Sequence, residues 1–318
     1  MSRAVASVPM VEQDNAGAGG ELGVRVGDFA HLSNGTTLHY ASCGRAGAPL
    51  ALCLHGFPEY WAAWEDVIPL LARDHFVVAP DLRGFNLSSQ PTAVASYRAR
   101  EIVADLVLLI AALGYARARV AAHDWGGAAA WQLAIARPDL VERLAIVNSP
   151  HPIPFARELS VNDAQRAASQ YMNWLRAAGS EVALAQDNFR RLLDFFARMA
   201  RADAVWLTAE RVERYRAVWR HGLAGGVNYY RASPIYPPEG DDPGPARLQL
   251  AAVDFMVRVP TLVLWGMADT ALLPGLLAGL DELVPDLAIE RRERATHWLL
   301  HEEPQFAGER INAFFCDQ

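Results

Sequence analysis

The sequence predicts an α/β protein: a mostly parallel sheet flanked by helices on both faces, split by one all-helical insertion. Three observations predict it. Short apolar runs alternate with helical periodicity from residue 28 to about residue 149, and the rhythm then turns purely helical over residues 150–247. Strand signals resume at "VPTLVLWGMAD" and "DLAIERRE". Alternation of this kind implies a parallel sheet covered on both sides, with sites at the carboxyl ends of its strands.

In chain order, Asp28 to His55 reads as strand, turn, strand, loop, strand, with "NGT" at Asn34–Thr36 supplying the hairpin signal. "PLALCLHG" is a buried strand running into a glycine. A helical stretch near Trp61–Ala72 precedes the strand "HFVVAPDLRG", and Tyr97–Leu113 has helical periodicity that stops at Gly114. "ARVAAH" is the next strand, "GGAAAWQLAIARP" the next helix and "VERLAIVNSP" the strand after it. His55, Asp81, Asp124 and Asn148 all fall at strand ends. The expected layout is a loose tail over 1–24, a first core part over 25–149, a helical cap over 150–247 and a second core part over 248–318. A helix from about Pro304 to Phe315 closes the chain.

With 318 residues, 52% of them hydrophobic, the chain can bury one large core or a core plus a small added domain. The net charge of -7 and the scatter of basic residues argue against nucleic acid or an anionic membrane as partner. All 29 basic residues are arginine, which excludes a Schiff-base lysine and a phosphate-loop lysine. Cys43, Cys53 and Cys316 are too dispersed for a disulfide framework or a zinc site, and fit a reducing cytoplasm. No uncharged apolar run approaches the roughly 18 residues of a membrane span. The expectation is a cytoplasmic protein, monomer or homodimer, with a small-molecule substrate, no cofactor and no metal.

"VAAHDWGGAAAW" (Val120–Trp131) has the build of a nucleophile elbow, in which a sharp strand-to-helix turn holds a reactive side chain clear of the sheet. The reactive position holds Asp124, where an esterase would carry serine. Serine attacking a saturated carbon would leave an ether that cannot be removed. Aspartate leaves an alkyl ester, which water can hydrolyse at its acyl carbon. An aspartate here also suits a plain helix N-cap, so the assignment leans on context.

That context includes a later base and acid. "RATHWLLHEEP" offers His297, in the loop after the last strand, and His301, expected at the surface beside the final helix. Position and triad logic favour His297. Asp269 ends the strand "LVLWGMAD" and takes the acid role over Asp254, which precedes that strand, and Asp281, expected in the helix after it. An oxyanion needs N–H donors: the turn "HGFP" offers the Phe57 amide, and Trp125 supplies the amide after Asp124. Trp61 and Trp64 read as packing residues.

"HGFPEYW", "PDLRGFNLS", "HDWGG", "NSPHP", "LWGMAD" and "ATHW" occur in the order and rough spacing of the α/β-hydrolase-fold epoxide hydrolases, the aspartate-nucleophile subgroup related to haloalkane dehalogenases. The chain resembles them over about Val26 to Phe315. The resemblance implies an α/β-hydrolase fold with a helical cap (lid). It further implies hydrolysis of a small apolar epoxide to a vicinal diol through an ester on Asp124, with His297 activating water. It also implies two cap tyrosines that protonate the alkoxide, Tyr171 in "SQYMNWL" and Tyr230 in "GGVNYYRA", with Tyr229 competing for the second position.

The runner-up is haloalkane dehalogenation by the same triad, with Trp125 and either Trp206 or Trp219 holding the halide. Fluoroacetate dehalogenases carry arginines on the helix before the elbow strand, and "ADLVLLIAALG" has none. A non-catalytic scaffold is disfavoured by the joint presence of Asp124, Asp269 and His297. Phe155, Trp174, Phe189, Phe195, Phe196 and Trp206 are candidate walls of an apolar pocket.

Overall fold

A computed structural model describes residues 23–317, so residues 1–22 of the expected tail lie outside the described residues. Eight strands form one sheet: β1 (Arg25–His31), β2 (Thr37–Cys43), β3 (Leu50–Leu54), β4 (Phe76–Pro80), β5 (Ala118–His123), β6 (Val141–Val147), β7 (Thr261–Gly266) and β8 (Leu287–Arg292). Their spatial order is β1-β2-β4-β3-β5-β6-β7-β8. β2 pairs antiparallel with β1 and β4, and every pairing from β4 across to β8 is parallel.

The burial pattern explains why the middle strands read as unbroken apolar runs. Both faces of β3 and β7 are covered, and every residue of each is buried. The edge strands β1 and β8 are largely exposed or half-buried and carry the polar residues. From β3 the chain goes to β4 on one side and then to β5 on the other. This reversal opens a crevice at the carboxyl ends of β3 and β5, where ligands of such sheets bind.

Between β6 and β7 lie the cap helices Pro152–Val161, Asp163–Ala168, Tyr171–Arg176, Ser180–Met199, Ala209–Trp219 and Ala224–Ala232. Polar contacts seat them on the core. Tyr215 donates to Glu59 Oε1 (2.8 Å), Trp219 Nε1 to the Pro58 carbonyl (2.7 Å) and Tyr229 to the Arg83 carbonyl (2.9 Å). Arg214 grips Glu65 with both terminal nitrogens.

Three local expectations are corrected. The stretch Trp61–Ala72 is not one helix but a 3-10 turn, Trp61–Trp64, and a short helix, Ile68–Leu71, because Pro69 fits only the first turn of a helix. Asp281 sits exposed in a turn rather than in a helix. The helix Ser180–Met199 is broken in its middle: Gln186 is extended, and Asp187, Asn188 and Phe189 take left-handed φ values of 51, 52 and 64°. Asp and Asn accept that conformation more readily than most residues.

Arg83 and Asp105 form a buried two-pronged pair, at 2.6 and 2.7 Å, beneath the loop that carries the cap contact at the Arg83 carbonyl. Removing one partner strands the other charge away from water. Asp105→Ala is expected to lower the unfolding free energy by about 3–5 kcal/mol, read from urea denaturation, and a loss under about 1 kcal/mol would mean that water reaches Arg83.

Candidate active site

Asp124 is the first residue of the helix Asp124–Ala136, directly after β5, and its φ is 49°. A non-glycine residue held there stores about 1–3 kcal/mol of strain, so the surroundings must enforce the turn. Two glycines make room for it. A Cβ on Gly56 would lie 2.2 Å from Asp124 Oδ1, and one on Gly126 would lie 2.5 Å from the carbonyl oxygens of Leu54 and His55. The sharp turn and the approach of the β3 loop therefore depend on each other.

Within that fit, the Phe57 N–H donates to Asp124 Oδ1 at 2.7 Å. The Trp125 N–H makes no hydrogen bond to the carboxylate among the described residues, though it begins the same helix and adds to the positive end of its dipole. Ser149 Oγ donates to the Asp124 carbonyl (2.7 Å) and pins the elbow from the β6 side. Asp124 Oδ2 remains open, 3.8 Å from His297 Nε2.

His297 Nδ1 lies 2.8 Å from Asp269 Oδ2, which also accepts from Asn148 Nδ2 at 2.9 Å. Asp269 Oδ1 accepts from the Ala271 and Leu272 amides at 2.8 and 2.9 Å. Burial opposes the Asp269 charge, but His297 and these donors hold its carboxyl below the usual aspartate range. Burial likewise opposes protonation of His297. The charges of Asp269, Asp124 and Glu59 outweigh it and raise the imidazole to about 9. Asp254, in contrast, is exposed.

Facing Asp124 across a cavity of about 330 Å³ are Tyr171 and Tyr230, their ring centres 6.2 Å apart. Tyr230 packs edge-on against Phe57 at 5.4 Å and against Trp125 at 4.9 Å. Both phenols are pushed upward, first by burial and then by neighbours that include Asp124, so they stay protonated and able to donate. Tyr229 lines the same cavity, but its hydroxyl is committed to the Arg83 carbonyl. Phe155 lines this cavity too, whereas Phe189, Phe196 and Trp206 are packed into the core.

His301 is buried rather than on the surface. Its Nε2 lies 2.6 Å from Glu59 Oε1, and its ring stacks on Trp206 at 4.2 Å. Glu59 is fully buried, with His123 Nδ1 3.3 Å from Oε2, and His123 Nε2 meets the His297 carbonyl at 2.9 Å. Burial works against the Glu59 charge, yet His301 and His123 hold it well below the usual glutamate range. Glu59 stands in "HGFPEYW", and nothing in the local pattern marks it as buried.

The alpha/beta hydrolase fold profile matches residues 49–304. The chain is 33% identical to AB hydrolase superfamily protein YfhM of Bacillus subtilis, covering 90% of this chain and 96% of that one. It is 31% identical to Epoxide hydrolase 1 of Caenorhabditis elegans, covering 87% of this chain and 67% of the relative. The crystal structure of Bacillus megaterium epoxide hydrolase with an inhibitor superposes with a TM-score of 0.82 at 32% identity, covering 91% of this chain and all of that one. The chain belongs to the epoxide hydrolases of the alpha/beta hydrolase fold. An inserted helical cap goes with that membership, and no described helix is long and apolar enough to cross a membrane.

The His297 geometry carries a stability signature for this epoxide hydrolase family member. A folded-state pKa raised above the ordinary histidine value of 6.5 stabilises the fold fully below about pH 6.5, and the contribution is lost as pH rises through about 9. The stability advantage of wild type over His297→Gln, measured by urea unfolding, should therefore shrink across that window. An advantage that grows with pH would contradict the charged imidazole.

Proposed function

We propose that the chain hydrates epoxides to vicinal diols through a covalent ester on Asp124. The observation that carries this reading is one carboxylate with one oxygen held and one free, facing Tyr171 and Tyr230 across a cavity. Asp124 Oδ2 attacks a ring carbon, the C–O bond breaks, and Tyr171 or Tyr230 gives a proton to the leaving alkoxide. His297, oriented by Asp269, then takes a proton from water as that water attacks the ester carbonyl. The Phe57 N–H receives the charge that develops on Oδ1, with the Trp125 amide as second candidate donor. Collapse of the tetrahedral species expels the ester oxygen, which takes the proton back from His297 and leaves as the diol, and the remaining carboxyl proton passes to the tyrosinate, which restores the carboxylate and the phenol.

The charge of His297 fits the order of steps. Alkylation neutralises Asp124 and so removes one of the charges that hold the imidazole proton, which favours the neutral base just when water must be activated. Tyr230 is preferred over Tyr229 because the latter's hydroxyl already donates to a backbone carbonyl.

Halide chemistry is less well supported. It needs a second N–H donor beside Trp125, yet Trp219 Nε1 is committed to the Pro58 carbonyl, and Trp206 stacks on His301 away from the cavity. Diol and bromide release measured side by side with styrene oxide and 1-bromobutane should favour the epoxide, and faster bromide release would move the assignment to dehalogenation.

Because Asp124 attacks without a base while ester hydrolysis needs one, His297→Gln should stop the cycle halfway. Intact-protein mass spectrometry after incubation with styrene oxide should show one added substrate mass, mapped to Asp124 and absent from the variant that also carries Asp124→Ala. Normal turnover by His297→Gln would contradict the ester and leave direct attack by water, with Asp124 as base.

The tyrosines make a separate prediction. Two donors sharing one oxygen back each other up, so Tyr171→Phe or Tyr230→Phe should each slow alkylation by roughly 10- to 100-fold and the double change by up to about 10⁴-fold. Wild-type alkylation rates in the double variant would make both tyrosines packing residues.

A further inference from the structure

The turn after Asp269 has little backbone support of its own. Beyond β7 the chain passes through Asp269 to Leu273 before the 3-10 turn Pro274–Leu277. Among the described residues, no backbone N–H from residue 270 to residue 273 reaches another backbone group. Two of these amides, Ala271 and Leu272, point inward to Asp269 Oδ1 at 2.8 and 2.9 Å. The groups that face the other way are gripped by one side chain of the cap. Gln165 Nε2 donates to the Ala271 carbonyl at 2.8 Å, and the Leu273 N–H donates to Gln165 Oε1 at 3.0 Å.

Gln165 lies in the helix Asp163–Ala168 and is 1% exposed, an unusual place for a glutamine unless its amide is fully used. The second Nε2 hydrogen goes to Ser169 Oγ at 2.9 Å, so both donors and the acceptor are engaged. The turn also fixes which way the amide faces, since exchanging its oxygen and nitrogen would set carbonyl against carbonyl and N–H against N–H. Tyr171 follows on the same cap segment, and Leu272 lines the Asp124 cavity together with Tyr171. One cap segment therefore carries a proposed proton donor and holds the Asp269 turn.

We propose that Gln165 is a positioning residue for ester hydrolysis: from the cap it fixes the turn whose amides hold Asp269, and through Asp269 it aims the His297 imidazole at water. The inference rests on the covalent-ester reading above. Asp269 Oδ2 serves His297 at 2.8 Å and Asn148 at 2.9 Å while Oδ1 serves the turn, so a turn that drifts rotates the carboxylate away from the ring. Alkylation escapes this dependence, because Asp124 attacks without a base and is held by the Phe57 N–H instead.

The test is a single turnover in which styrene oxide meets excess protein and quenched samples are weighed intact, so that the rise and the decay of the ester are read separately. Gln165→Met keeps the length of the side chain and loses both bonds to the turn. Its ester decay should slow by roughly 10- to 100-fold, the scale of a misplaced catalytic group, while the rise keeps the wild-type rate. In steady state kcat and KM should fall together and leave kcat/KM unchanged. Only folded molecules form the ester, so both rate constants are free of any misfolded fraction. Gln165→Glu can make both bonds only while its carboxyl is protonated, so its deficit in decay relative to wild type should shrink as pH falls from about 8 to about 5. Rise and decay slowed alike, as a loosened cap that misplaces Tyr171 would give, overturn this inference alone, as does decay at the wild-type rate in Gln165→Met. If even His297→Gln accumulates no ester, the covalent reading fails and this inference falls with it.

Discussion

The left-handed turn at Asp124 is the constraint on which the rest of the site depends. A side chain at φ 49° would relax if its neighbours let it, and each neighbour is chosen so that it cannot. Gly56 and Gly126 bring the β3 loop within hydrogen-bonding reach, Phe57 fixes Oδ1, and Ser149 fixes the carbonyl from β6. Three adjacent parallel strands therefore converge on one residue. The strain is kept local because the helix that follows is buried along most of its length.

Around that turn the charges are arranged in opposition. Asp124 and Asp269 flank a single imidazole, and a third buried carboxylate, Glu59, adds to the field that holds the His297 proton. Burial opposes the charge on Asp269, Glu59 and His297. They stay charged because every one has a partner, and in Glu59 the partners are two histidines and a cap tyrosine. The site thus holds one proton firmly while Asp124 is an anion, and on the proposed mechanism less firmly once that charge is lost.

Most of the sheet was legible because its middle strands are buried on both faces and so appear as bare apolar runs. Asp124, Asp269 and His297 were legible because each ends or follows a strand on the same edge. The second tyrosine was not, since Tyr229 and Tyr230 differ in sequence by one step and in space by which finds the Arg83 carbonyl. His301 was misread as exposed because its charged partner, Glu59, lies 242 residues away. Glu59 itself was invisible: a glutamate in a loop is ordinarily solvated, and only tertiary contacts with Tyr215, His123 and His301 reveal otherwise.

Those tertiary contacts also explain how a helical cap can aim a phenol at an elbow on a different part of the chain. Tyr230 shares its short helix with Tyr229, and Tyr229 is tied to the Arg83 carbonyl, whose side chain is locked to Asp105. The next cap helix back is tied by Tyr215 and Trp219 to Glu59 and Pro58, immediately beyond the Phe57 donor. Cap and the Phe57 loop are therefore positioned by the same few polar contacts. A shift of the cap that moved Tyr230 would also pull on the loop that fixes Asp124 Oδ1, so the distance between the Asp124 carboxylate and the Tyr230 phenol is set by one continuous set of bonds rather than by two independent ones.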